Sequence, residues 1–203
     1  MNKVATSVHN CLIALEEMRS ATLRNHDAGV AAICAALCRG MGIQSGLAVK
    51  LSFAAGMHDI GKVVIPDAII NKPAPLNTTE QKVMRRHPMM GFNILRNFGD
   101  DALKLAANAA LYHHECWDGS GYPTRLSGTA IPLEARIVAI CDVYHALREP
   151  RSYRAALSHD DVMGMILGGD GSDRLHPGKF DPAVLDSFRA SAHGIQDAFE
   201  STL

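Results

Sequence analysis

No stretch of this chain approaches the roughly 20 consecutive apolar residues that a membrane span requires. The opening MNKVATSVHNCLIALEEM likewise holds no long apolar run. The five cysteines, Cys11, Cys34, Cys38, Cys116 and Cys141, form no C-x-x-C pair, and an odd count argues against a closed disulfide framework. That usage suits a reducing cytosol, so a cytoplasmic enzyme or binding module is expected. Cys34 and Cys38 lie one helical turn apart and could share a metal, but buried apolar packing is the simpler reading. An excess of charge of either sign is also missing. A formal net charge of -1 gives no reason to expect a nucleic-acid duplex or an anionic membrane as partner. A small anionic ligand stays open, because it needs only a local cluster of cations. Strand-like alternation, internal repeats and low-complexity tracts are absent.

What is present is helical. With 203 residues, 47% hydrophobic and 20% charged, the chain is long enough for one well-packed core and short for two. Val30, Ala31, Ile33, Cys34, Leu37 and Met41 keep one stripe from Asp27 to Met41, closed by Gly40 and Gly42. Leu47 to Met57 is nearly all small or apolar and reads as a deeply buried helix. Residues 65–75 form a loop with prolines at 66, 73 and 75. Thr78 followed by Gln81 reads as a capping box for a helix that stops short of Pro88. Helices are expected over Gly91–Phe98 and Asp101–His114, then an irregular loop over Trp117–Ile131. Pro132 suits the first turn of a helix reaching Arg148. Ser158 caps Asp161–Leu167, Gly168–Gly178 reads as an exposed loop, and Pro182 opens a last helix to about Phe199. The expected fold is all-α and a single domain over residues 26–203, led into by an N-terminal helix within residues 1–25.

Ten histidines are the unusual entry in the composition. Imidazole is the commonest metal ligand and the usual proton shuttle near neutral pH. His26, His58-Asp59, His87, His113-His114 and Asp142 each fall within or at the end of an expected helix. Neutral imidazole with carboxylate suits divalent first-row metals such as iron, manganese, cobalt or zinc. Asp59 is the best bridge, because a carboxylate can hold two ions and His58 would bind beside it. Adjacent helical residues diverge by about 100°, so the pair can converge only at a helix end, which Gly56 and Gly61 mark. Taken singly, His26 or His87 reads equally as a surface residue or a cap. Asp142, inside the apolar run ICDVY, is harder to dismiss, since buried carboxylates are rare unless paired. His9, His159, His176 and His193 have no such context and are expected on the surface. Glu115 could orient a ligand histidine through its second ring nitrogen, or simply face solvent.

In order along the chain stand HDIGK (58–62), His87-Pro88, His113-His114-Glu115, DGSGYP (118–123), Ile131-Pro132, Asp142-Val143, RSYR (151–154) and Phe180-Asp181-Pro182. This series resembles the HD-GYP domain family from His26 onward. The resemblance implies an HD-superfamily helical bundle that hydrolyses the bacterial second messenger cyclic di-GMP to linear pGpG, with GMP a further product. It implies metal binding by His26, His58, Asp59, His87, His113, His114 and Asp142, with two divalent cations, iron or manganese ahead of zinc, cobalt or nickel. It assigns substrate contact to Lys62, Arg151 and Arg154, and makes Gly121, Tyr122 and Pro123 the signature loop beside the site. It also implies a regulatory or signalling protein as partner. Two positions depart from the family. Thr22 stands where some members have a glutamate that helps hold a third metal, and His145 stands where an aspartate is usual.

In this reading Asp59 and Lys62 carry the reaction, Lys62 as a point charge on the developing phosphorane. Arg151 and Arg154 offer planar forks to phosphate. Tyr122 could pack the loop or stack on a guanine. His145 lies one turn from Asp142, as a substitute for the aspartate or as a handicap to the metal site. Two alternatives therefore stay open. One is a binding module that has lost turnover, and the other a hydrolase of a different cyclic dinucleotide.

Overall fold

Val30, Ile33, Cys34, Leu37 and Cys38 form a fully buried stripe on α1 (Ala21–Gly40), and the rest of the molecule is arranged around it. The computed structural model describes residues 6–8, 10–12, 14–15, 21–150, 155–172 and 175–203. Among these residues every regular element is helical, apart from an isolated bridge between Ser172 and Leu175. α1 runs without a break through residues 25 and 26, where the N-terminal segment is expected to meet the domain. Cys34 and Cys38 are buried with their sulfurs 3.9 Å apart. Among the described residues they belong to no cluster of metal-binding side chains.

α2 (Ser45–Ala55) packs along α1, its Leu51, Phe53, Ala54 and Ala55 buried, and ends at Gly56. A 3-10 turn follows over Ile60–Val64, then the short α3 (Asp67–Ile70) and α4 (Thr78–Met84). The capping box of α4 is shifted by one residue from the Thr78–Gln81 expectation. Asn77 accepts from the Glu80 amide, and the Glu80 carboxylate accepts from the Asn77 amide. α5 (His87–Leu95) begins four residues before the expected start. Pro88 does not break it, because a first-turn proline surrenders an amide that has no helical partner anyway.

α6 (Asp101–Tyr112) buries an alanine-rich face, and α7 (Leu133–Arg148) buries Ile137, Val138, Ile140, Cys141 and Tyr144. Alanine lets neighbouring axes approach closely, and α6 contacts α2, α5 and α7. Beyond α7 come α8 (His159–Gly168), capped by Ser158, then α9 (Pro182–Ala190) and α10 (Ala192–Glu200). The single last helix expected from Pro182 is thus two, broken at Ser191. Within the expected exposed loop Gly168–Gly178, Leu175 is buried in the core. His159 is also not simply on the surface, since its Nδ1 lies 2.8 Å from the Tyr144 hydroxyl.

Candidate metal centre

Gly61 decides how closely the two ends of the site approach. A Cβ built there would stand 2.0 Å from the His87 carbonyl oxygen and 2.5 Å from the Gly91 amide nitrogen. Only a residue without a side chain lets the turn after α2 lie against the first turn of α5. This contact brings His58, Asp59 and Lys62 to His87. α1 contributes His26, the end of α6 contributes His113 and His114, and α7 contributes Asp142 and His145.

The Asp59 carboxylate sits at the middle, 3% exposed, and its two oxygens face different partners. Oδ2 lies 3.9 Å from His26 Nε2 and 3.6 Å from His58 Nε2. Oδ1 lies 3.2 Å from His87 Nε2 and 3.7 Å from His113 Nε2. Asp142 Oδ1 closes the first set, 3.1 Å from His26 Nε2 and 3.8 Å from His58 Nε2. His114 joins the second, its ring 5.1 Å from that of His87.

Backbone carbonyls set the tautomers. His58 Nδ1 lies 2.7 Å from the Ala55 carbonyl, His87 Nδ1 2.8 Å from that of Met84, and His113 Nδ1 3.0 Å from that of Ala109. With those nitrogens donating, each Nε2 faces Asp59 and offers a lone pair there once it carries no proton, the arrangement by which a second ring nitrogen orients a metal ligand.

This donor set fits divalent cations. His58 Nε2 and Asp59 Oδ1 are buried with no hydrogen-bond partner, and a buried polar atom left unpaired costs about 1–3 kcal/mol. Atoms of His87, His113 and His114 fall within 4.8 Å of one another, as do those of His26, Asp27, His58 and Asp59. Imidazole and carboxylate at such spacing suit first-row metals.

The profile of the HD domain family matches residues 10–178. This chain belongs to that family. Its motifs and its relatives make it an HD-GYP domain. Over 142 residues it is 44% identical to a cyclic di-GMP phosphodiesterase of Vibrio cholerae, covering 68% of this chain and 28% of that protein. A 3'3'-cGAMP-specific phosphodiesterase 2 of the same organism is 37% identical over 164 residues, 81% of this chain and 31% of its own length. The chain thus spans about a third or less of these relatives. Among solved structures, an HDG"Y"P protein of Bdellovibrio bacteriovorus superposes with a TM-score of 0.63 at 16% identity, over 88% of this chain and 52% of that one, a likeness of fold.

The electrostatics divide the HD-GYP centre in two. Burial alone would lower the His26 and His58 pKa values, but carboxylates outweigh it. Asp142 and Glu149 raise His26 to about 10, and Asp59 with Asp142 raises His58 to about 9. His113 and His114 go the other way, because burial and neighbouring imidazoles act together; His114 falls to about 3. Burial would raise Asp59, yet Lys62 and His58 hold it well below the usual carboxylate range. Asp142 is held down in the same way by His26 and His58.

The remaining expected site residues are placed as follows. Lys62 donates to Asp59 Oδ2 and lines a cavity beside the centre, together with His26, His87, His114 and Asp142. Tyr122 stacks on His114, centroids 4.7 Å apart at 23°, with the Arg85 guanidinium 4.8 Å over its ring. Glu115 corrects its expected role. Its Oε1 accepts from the Thr124 amide and hydroxyl and from the Arg125 amide, so it anchors the signature loop rather than a histidine ring. Gly121 is buried against the Glu115–Cys116 backbone. Arg151 and Arg154 lie outside the described residues. Two carboxylates escaped the sequence reading. Asp27, 1% exposed, has Oδ1 3.7 Å from His58 Nδ1, and burial raises its pKa to about 6. Glu149 Oε2 lies 3.6 Å from His26 Nδ1. An aspartate beside His26 in a buried stripe was the available signal for the first; for Glu149 there was none.

Proposed function

We propose that this domain hydrolyses a phosphodiester bond of a cyclic dinucleotide, cyclic di-GMP, to linear pGpG and then GMP. The observation that carries this reading is the division of the Asp59 oxygens between two imidazole sets at the edge of a cavity of about 630 Å³. That volume suits a small organic ligand, for which sites run from about 300 to 1,000 Å³. His26, His58 and Asp142 would hold one divalent cation and His87, His113 and His114 a second, with Asp59 between them. Iron or manganese is the expected identity ahead of zinc, cobalt or nickel, and imidazole with carboxylate can hold either. Bound there, the cations supply positive charge to phosphoryl oxygens and lower the pKa of a water toward neutrality.

The chain's own groups do the rest. Lys62, which donates to Asp59 Oδ2 and lines the cavity, would put its ammonium on the phosphoryl oxygens as negative charge builds. Ile69, Ile70, Leu76 and Met84 line the same cavity and exclude water around the nucleotide. Arg151 and Arg154, assigned to the substrate by the family resemblance, are the candidates for contact with phosphate. The domain works in the cytoplasm under a regulatory or signalling partner; among the described residues no helix is long and apolar enough to cross a membrane.

The test is incubation of manganese- or iron-loaded protein with cyclic di-GMP, followed by chromatography of the nucleotides. Persistence of the substrate with metal bound and the helical fold intact refutes the proposal. Two observations favour second readings. His145 in place of the usual aspartate favours a binding module without turnover, which binding calorimetry without hydrolysis would establish. The likeness to a 3'3'-cGAMP-specific enzyme favours a different cyclic dinucleotide, which a substrate panel decides.

A further inference from the structure

A second cavity, of about 240 Å³, opens on the signature-loop side of the same centre. Tyr122, His114 and Asp142 line both cavities, so the stacked Tyr122–His114 pair stands between them. Its volume lies below the roughly 300 Å³ at which sites for whole small ligands begin. It therefore suits part of a ligand whose remainder sits in the larger cavity.

Its polar lining carries opposite charges. Arg85 forms no ion pair with a carboxylate among the described residues and lays its guanidinium over Tyr122. Glu115 is 4% exposed, and its Oε2 is buried without any hydrogen-bond partner, although Oε1 is fully used by the loop. A guanine carries acceptors, O6 and N7, on one edge and an N2 amino donor on another. An arginine fork matches the first edge in two parallel hydrogen bonds, and a carboxylate oxygen accepts from the second. Adenine presents an amino group where guanine has O6, and an arginine cannot donate to it.

We propose that Arg85 is a specificity-determining residue, reading the O6/N7 edge of one guanine of the bound dinucleotide in this second cavity. Tyr122 holds the guanidinium flat, and Glu115 accepts from the same base. The inference rests on the cyclic-dinucleotide reading of the metal centre and narrows it to guanine-containing substrates.

Binding and turnover, measured separately, test it. Calorimetry with cyclic di-GMP and cyclic di-AMP on metal-loaded wild type, Arg85→Met and Arg85→Lys gives affinities; chromatography gives KM and kcat; elemental analysis gives metal content. Loss of one bidentate base contact corresponds to about 5- to 150-fold. Arg85→Met should weaken cyclic di-GMP by that factor, in Kd and KM, and bring the two dinucleotides close to parity. Arg85→Lys, whose ammonium can still donate to O6 and N7 but without the planar fork, should recover affinity for cyclic di-GMP and part of the preference for guanine. Unchanged discrimination in Arg85→Met overturns the proposal, as does a loss equal for both dinucleotides that comes with loss of metal. Guanine-selective binding that depends on Arg85 without any hydrolysis sustains the proposal and defeats the phosphodiesterase reading. Hydrolysis indifferent to Arg85 does the reverse. Absence of both binding and hydrolysis in the wild type overturns both.

Discussion

His145 Nδ1 lies 3.0 Å from His26 Nδ1, directly behind the imidazole that faces Asp142 and Asp59. Room for the His145 ring comes from Gly29, where a Cβ would stand 2.0 Å from Nε2. A His26 that offers Nε2 to a cation keeps its proton on Nδ1, so His145 must accept there. Glu149 Oε2 is 3.6 Å from both Nδ1 atoms, and these imidazoles hold its pKa down to about 2 against the upward push of burial. The histidine thus occupies the place of an aspartate and presents an acceptor of nearly the same reach from the backbone.

From this geometry, replacing His145 by leucine should lower metal affinity or activity by about 10- to 100-fold, the usual cost of losing the group behind a ligand histidine. His145→Asp should retain or improve both. Metal titration of each stripped variant, with circular dichroism to verify the fold, checks this. Equal affinity in His145→Leu would mean that the ring only fills space.

Gly61→Ala should destabilise the domain by about 1–3 kcal/mol, as overpacking does, and weaken metal binding at the His87 end. The new methyl meets backbone atoms of His87 and Gly91, which cannot rotate away. Urea midpoints and metal titration measure the two effects. A variant as stable as wild type, with full metal affinity, would show that this contact does not set the site.

How much of this was open to inspection before folding differs by residue. His58 and Asp59 were readable because Gly56 and Gly61 mark a helix end at which neighbouring side chains can converge. The buried stripe of α1 and the long α7 followed from helical periodicity. Pro88 misled, since its effect depends on whether it falls inside a helix or in the first turn. The break at Ser191 was hidden because the apolar pattern continues across it through Val184, Leu185, Phe188, Ile195 and Phe199. Glu149, Arg85 and the true partners of Glu115 depend on contacts between distant segments, and periodicity carries no trace of those.

Metal binding should release protons from one half of the site. His26 and His58, raised to about 10 and about 9 by Asp142, Glu149 and Asp59 against the pull of burial, carry protons at pH 7. A cation must displace them. His113 and His114, held below their ordinary value by burial and neighbouring imidazoles, are already neutral and release none. Affinity should therefore rise with pH between 6 and 8, by up to about 100-fold per unit when both protons leave together. Calorimetry in buffers of different ionisation enthalpy counts the protons. A flat profile without proton release would contradict the protonation derived for His26 and His58.

The most direct trial of the account counts metal in the wild type and in Asp59→Ala after purification and reloading with manganese or iron. Asp59 faces both imidazole sets, so the wild type should hold two ions per chain, and the variant should lose both while keeping its helical spectrum. Full metal content in Asp59→Ala, or a correctly folded wild type that retains none, would contradict it.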